Sequence, residues 1–136
     1  MLLVLDVGNT NTVLGLYDVA HEPHTLVANW RVSTSKTNTV DEYGVLFRNL
    51  FSMQDVPAHA VTGIIISSVV PPIDSTMRAV CERYFKLKPL FVEPGIKTGM
   101  PVHVDNPNEV GADRIVNGVA ALEKYGGPCI VVDFGT

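Results

Sequence analysis

The sequence predicts an α/β domain: a mixed five-stranded sheet with helices packed on it, and one further strand at the end of the chain. Three observations carry this. Two apolar runs joined by a short polar turn open the chain and a third follows at hairpin spacing, the signature of an antiparallel meander. Further on, apolar runs of strand length alternate with stretches of helical periodicity, as in parallel strands joined by crossover helices. Finally, LLVLDVGNT at residues 2–10 is echoed by CIVVDFGT at residues 129–136.

Residues 2–6 are continuously apolar and end in Asp6, a buried strand. TVLGLYD (12–18) alternates loosely and forms the second strand of the hairpin. His21-Glu22-Pro23-His24 is a turn, and TLVANWRV (25–32) is the third strand, with Trp30 in a core or interface. Ser33 to Asn38 is loop. From about Val40, the apolar residues Tyr43, Leu46, Phe47, Leu50 and Phe51 recur at three- and four-residue steps, a helix face that Thr39 or Asp41 can cap. GIIISSVV (63–70) is a buried strand closed by Pro71-Pro72. Met77, Val80, Cys81, Tyr84 and Phe85 mark a second helix. PLFVE (89–93) is a short strand, and residues 94–105 form a loop. Asn106-Pro107-Asn108-Glu109 places a cap residue, a first-position proline and an acid at the start of a third helix that carries Ile115, Val119 and Leu122. Gly126-Gly127-Pro128 stops it, and CIVVDFGT reads as a last strand.

Composition narrows the function classes. The 136 residues suit one typical domain, and 46% of them are hydrophobic, enough for a real core. With 14 acids against 10 bases the net charge is −4, and no basic run is present to neutralise a nucleic-acid backbone. Acidity does not exclude a nucleotide, because backbone amides and a metal ion can carry phosphate charge. Cys81 and Cys129 lie far apart and read as buried free thiols, which a reducing compartment fits. The N-terminus lacks a positive leader region, and no stretch approaches the roughly 18 apolar residues of a membrane span. A soluble, cytoplasmic protein is expected.

The echo aligns Asp6 with Asp133 and Gly8 with Gly135, each after an apolar run. It points to a duplicated domain whose second copy begins near Cys129. One strand cannot bury a core, so the chain reads as a fragment.

Asp6 has two readings. It is either an acid accepting backbone N–H groups in a turn or a ligand-facing carboxylate, since burying an unpaired charge is costly. Gly8-Asn9-Thr10-Asn11-Thr12 favours the second, because glycine admits close backbone approach and small polar residues offer N–H and O–H donors to phosphate oxygens. The loop is neither a Walker A motif nor Gly-x-Gly-x-x-Gly. Two strand-end acids facing each other, Asp6 and Asp133, would suit Mg²⁺, which keeps several waters and phosphate oxygens. In Glu109-Val110-Gly111-Ala112-Asp113-Arg114, Glu109 suits a helix N-terminus. Gly111 inside a helix costs about 1 kcal/mol relative to alanine, which suggests close approach by another backbone or a ligand. Asp113 and Arg114 would supply a base and an anion clamp. The four histidines are scattered and indicate no metal cluster. Lys97-Thr98-Gly99 reads as a plain turn, and Ser67-Ser68 sits at a strand end where it could line a pocket.

Asp6-Val7-Gly8-Asn9-Thr10-Asn11-Thr12, Ser67-Ser68-Val69-Val70-Pro71, Asp105 to Arg114 and Asp133-Phe134-Gly135-Thr136 together, in order over nearly the whole chain, resemble type III pantothenate kinase. The Gly-Ala-Asp-Arg segment is the specific part; Asp-x-Gly-x-Thr alone marks the wider sugar-kinase, Hsp70 and actin superfamily. The resemblance implies a duplicated, actin-like ribonuclease-H-type fold. On that fold, residues 1–127 form the N-terminal ribonuclease-H-like domain and 128–136 the start of a second, truncated one.

The resemblance also implies a homodimer that phosphorylates the 4′-hydroxyl of pantothenate with ATP, the first step to coenzyme A. It assigns ATP binding to Asp6, Val7, Gly8, Asn9, Thr10, Asn11, Thr12, Val13 and Thr136. Pantothenate binding falls to Gly111, Ala112, Asp113 and Arg114, with Asp113 the base. Asp133 becomes the ligand of a monovalent cation, potassium or ammonium, and Asp6 organises Mg²⁺ through water. The family's tyrosine before Asp-Asn-Pro is replaced here by Val104. That departure leaves a non-catalytic regulatory relative as the alternative; a sugar or acetate kinase fits the Gly-Ala-Asp-Arg context less well. The 136-residue chain by itself is expected to be inactive.

Overall fold

The structure, a computed structural model, describes residues 1–93 and 95–135. Five strands form one sheet: β1 (Leu2–Val7), β2 (Asn11–Asp18), β3 (Thr25–Ser33), β4 (Gly63–Ser68) and β5 (Leu90–Phe91). Their order is β3-β2-β1-β4-β5, with β1, β2 and β3 antiparallel and β4 and β5 parallel to β1. This is the expected mixed five-stranded sheet. The polar turn closes the β1–β2 hairpin, and the later strands run parallel because helices carry the chain back between them.

The two faces of β1 set the layers. Leu3, Leu5 and Val7 are fully buried with Leu14 and Leu16 of β2 and Ile64 and Ile66 of β4. Over that face lie α1 (Val40–Ser52) and α2 (Asp74–Val80), which contribute Tyr43, Phe47, Phe51, Met77 and Val80 to the same core. Thr39, not Asp41, caps α1: its Oγ accepts from the Glu42 N–H at 3.2 Å while Glu42 Oε2 accepts from the Thr39 N–H at 2.7 Å, a reciprocal capping box. Trp30 belongs to the core side, stacked on Phe51 at 5.0 Å. On the opposite face α3 (Ala112–Tyr125) covers β4, and a small cluster of Ala112, Ile115 and Val92 packs with Ile65. Leu2, Val4 and Asp6 of β1 point to this second face.

Several expected boundaries move. β4 ends at Ser68, not Val70, because the chain turns into a 3-10 segment (Pro71–Ile73) whose prolines cannot donate to a ladder. The second helix is two pieces: α2 passes into a π-helical turn (Cys81–Phe85) that ends at Lys86 in the left-handed region, φ 61°. β5 holds two residues, not the five of PLFVE. The third helix does not start at Pro107: Pro107–Glu109 form a separate 3-10 turn, Val110 and Gly111 are extended, and α3 begins at Ala112. The Asn106 side chain donates to Glu109 Oε1 at 2.6 Å, so it ties down the turn and not a longer helix.

Residues 129–135, expected as a strand, form no ladder; Ile130 and Phe134 are 92% and 97% exposed. A strand needs a paired neighbour, and among the described residues this segment has none. Among the described residues, no helix is long and apolar enough to cross a membrane. Cys81 is buried and Cys129 exposed, both free thiols, and burial pushes the Cys81 thiol up to about 12.

Candidate active site

The carboxyl ends of the parallel strands β1 and β4 lie side by side, with Asp6 opposite Ser67 and Val7 opposite Ser68. Ligands of α/β sheets bind at such strand ends. Asp6 points to the α3 face, where its carboxyl is exposed toward the cleft yet half enclosed by protein. Burial raises its pKa above the ordinary 3.8, the Asp113 charge raises it further, Ser67 works against the rise, and Asp133 adds to it. Asp6, Asp113 and Asp133 are thus brought together from three separate parts of the sequence.

The phosphate-facing candidate loop is a tight, braced turn. Gly8 N–H donates to the Asn11 carbonyl at 3.0 Å, and Thr34 N–H donates to the Thr10 carbonyl at 2.9 Å. The Thr34 hydroxyl donates to the Gly8 carbonyl at 2.7 Å and lies 2.8 Å from the Thr12 hydroxyl. Asn9 and Thr10 are exposed, and Gly8 and Asn11 are half-buried. Val7 and Thr12 are fully buried, with side chains facing the core. The candidate contacts therefore divide: Asp6 and Gly8 to Asn11 face outward, while the side chains of Val7 and Thr12 shape the loop from beneath. Val13 is paired with Asp6 in the hairpin. Thr34 went unnoticed in the sequence; a hydroxyl just after a strand carries no signal that it will brace a turn 26 residues earlier. The ATP contact expected of Thr136 lies outside the described residues.

Gly111 is the N-cap of α3, with φ −60° and ψ 145°, not a residue inside the helix. The reason for glycine is local packing: a β-carbon there would sit 2.5 Å from Asp113 Oδ1 and 3.5 Å from Val69 Cγ1. The Arg114 N–H donates to Asp113 Oδ1 at 2.8 Å, which fixes the carboxylate against the first turn of α3. In a protein of the relatives' full length, we predict that Gly111→Ala displaces Asp113 and lowers any turnover by roughly 10²-fold, the scale of a 1 Å misplacement. Its thermal stability should change little, because alanine adopts this backbone without strain. Unchanged turnover would contradict the packing argument.

Asp113, Arg114, Asp133 and Gly135 line a polar cavity of ≈ 210 Å³. Asn117 Nδ2 donates to Asp133 Oδ2 at 3.1 Å. Asn117 was not singled out in the sequence, though its place one helical turn after Asp113 puts the two on one face. Val104 is 51% exposed and lines neither this cavity nor the neighbouring one of ≈ 240 Å³ under residues 93–108. Lys97-Thr98-Gly99 is a turn, as expected, with Thr98 Oγ donating to the Met100 carbonyl at 3.3 Å and Gly99 at φ 78°.

Among the described residues no three His, Cys, Asp or Glu side chains converge on one metal position.

The crowding at Asp6 has a pH consequence. The folded state holds the Asp6 proton more tightly than the unfolded chain, so stability carried by Asp6 is present below about pH 3.8 and is lost as pH rises through its raised folded value. Asp6→Asn should therefore stabilise the fold at pH 7 and raise the melting temperature, the gain in unfolding free energy being less than about 1 kcal/mol because water still screens the group. The difference should shrink toward pH 4. A melting temperature lowered at pH 7 would contradict it.

The fold and this acid-lined cleft define a mixed α/β domain with a candidate ligand site at its strand ends. A profile of the family "Type III pantothenate kinase" matches residues 2–136. A protein of that name from Koribacter versatilis is 70% identical over 142 aligned positions, covering 100% of this chain and 52% of its own length. Others from Syntrophus aciditrophicus and Exiguobacterium sp. are 59% and 54% identical over 136 positions, each again matched over 100% of this chain and 52% of its own. The chain belongs to the type III pantothenate kinase family, and it spans about half the length of these relatives.

Proposed function

We propose that this chain forms one wall of a kinase site that transfers the γ-phosphoryl group of ATP to the 4′-hydroxyl of pantothenate, giving 4′-phosphopantothenate for coenzyme A synthesis. The observation that carries the reading is Asp6 at the end of β1, beside β4, with Asp113 and Asp133 near enough for their charges to act on it and together lining one polar cavity. The relatives' name supports the substrate.

The outward groups of Asn9, Thr10 and Asn11 cradle the nucleotide's phosphates on a turn that the Gly8 N–H closes, Gly8 letting the backbone approach closely, with Val7, Thr12 and Val13 holding the loop and Thr136 completing the nucleotide contacts. Gly111, Ala112 and Arg114 bind pantothenate, with Arg114 available to its carboxylate. Asp113 accepts the 4′-hydroxyl proton as that oxygen forms its bond to the γ-phosphorus, and the bond from phosphorus to the β–γ bridging oxygen breaks to release ADP. Asp6 would hold Mg²⁺ through water, an ion that would supply positive charge against the phosphates, and Asp133 would hold a monovalent cation, potassium or ammonium. Positioning and charge stabilisation carry most of the rate, because phosphoryl transfer needs little covalent help from the protein. Residues 1–127 are one ribonuclease-H-like domain and 128–136 open a second. The working protein is a cytoplasmic homodimer, and the 136-residue chain alone does not turn over.

Val104 at the usual tyrosine position favours a second reading, a non-catalytic regulatory relative with the same fold. A coupled assay for ADP release, run with and without pantothenate on a protein of the relatives' full length, separates the two. Release that depends on pantothenate supports the kinase; its absence with folded, ATP-binding protein supports the regulatory relative.

A further inference from the structure

We propose that Ser67 is the positioning residue for Asp6: its buried hydroxyl, directly opposite Asp6 across the parallel β1–β4 pair, fixes the orientation of that carboxylate in the cleft. The inference rests on the reading of Asp6 as the acid of the ATP site. It starts from register. Asp6 and Ser67 are paired residues of adjacent parallel strands, so their side chains leave the sheet on the same face as neighbours. That face is the one covered by α3, whose Ala112 and Ile115 pack near Ile65.

Ser67 is only 5% exposed, yet its Oγ makes no hydrogen bond of regular length and angle to any described atom. A buried hydroxyl without a partner is unfavourable, and native structures seldom keep one without a reason. The next residue shows what ordinary satisfaction looks like here: Ser68 Oγ donates to Asp74 Oδ1 at 2.6 Å and accepts from the Val70 N–H at 3.2 Å. Ser68 lies on the other face and serves the turn into α2. Asp6 is the acid paired with Ser67 across the strands, and Ser67 favours its ionised form.

Asp6 needs such a donor. Asp113 and Asp133 both repel its charge, and a carboxylate in that field turns away from them unless something holds it. A hydroxyl has one proton to give and can give it to a single carboxylate oxygen, leaving the other oxygen turned to the cleft.

The test reads the side chain of Asp6 directly, in the 136-residue chain at neutral pH, through the three-bond ¹⁵N–¹³Cγ and ¹³C′–¹³Cγ couplings that report its χ1 rotamer. In the native chain one rotamer should dominate. In Ser67→Ala the ratio of major to minor rotamer should fall by roughly tenfold, the scale of one charge-assisted hydrogen bond. Ser67→Thr, which keeps the hydroxyl and suits a strand, should restore it. Amide spectra of all three should show the same fold, which separates loss of orientation from loss of structure. A single Asp6 rotamer retained in Ser67→Ala would overturn the proposal. So would averaging in the native chain, or averaging in Ser67→Thr equal to that in Ser67→Ala. The couplings do not depend on turnover. Pantothenate-dependent ADP release with an unmoved Asp6 would remove Ser67's role and leave the kinase standing, and the opposite pair of results would do the reverse.

Discussion

In a protein of the relatives' full length, Asp113→Asn should lower turnover by about 10²–10⁴-fold, the range that a positioned general base contributes, while ATP binding stays within about twofold. Asparagine keeps the size of the side chain and can still accept the Arg114 N–H, which holds Asp113 Oδ1 at 2.8 Å. It cannot take a proton from an alcohol. The candidate nucleotide loop belongs to the β1–β2 hairpin, braced by Thr34 and Thr12, and the substitution on α3 does not touch it. Steady-state kinetics with a separate nucleotide titration reads both quantities. Normal turnover would remove Asp113 as base. Loss of ATP binding together with activity would mean that the cleft had been disturbed as a whole.

The second large effect concerns the scaffold. Phe51→Ala should cost about 3–5 kcal/mol, the usual range for a buried aromatic. Phe51 is 1% exposed, stacks on Trp30 at 5.0 Å and meets the Phe85 ring edge-on at 5.3 Å. It therefore joins β3, α1 and the turn after α2 in one contact. Domain stabilities run to about 5–15 kcal/mol in all, so the change removes a large share. Denaturant unfolding followed by Trp30 fluorescence measures it. Val45→Ala, at a side chain 53% exposed on the same helix, should stay within about 0.5 kcal/mol. A Phe51→Ala cost under about 1 kcal/mol would mean the aromatic cluster is not the core described.

Strand alternation and helix periodicity were enough to read the five-stranded sheet, because burial on alternate faces is written into side-chain type. The Thr39–Glu42 capping box was half legible, since Thr39 and Asp41 are both acceptable caps and only the backbone angle at Thr39 chooses. Boundaries set by local backbone competition were not legible. Pro107 announces a helix, yet the extended Val110 and Gly111 postpone it to Ala112. The final apolar run looks like a strand by composition, but a ladder depends on a partner that composition does not name. At the site, Asp6, Asp113 and Asp133 were visible as acids at strand or helix ends. The reason for Gly111 was not, because it lies in the close approach of Asp113, two residues on, and not in any helix interior. Ser67 was visible only as a polar residue at a strand end; its pairing with Asp6 follows from the β1–β4 register.

The central claim is that the three acids mark a site where phosphate passes from ATP to pantothenate. ³¹P NMR of a full-length protein incubated with ATP, Mg²⁺, K⁺ and pantothenate tests it most directly. The account predicts a new phosphomonoester resonance that grows in step with ADP, appears only with pantothenate and is lost in Asp113→Asn. ATP consumed to ADP and inorganic phosphate with no phosphomonoester formed, or a phosphomonoester formed equally well by Asp113→Asn, would contradict it.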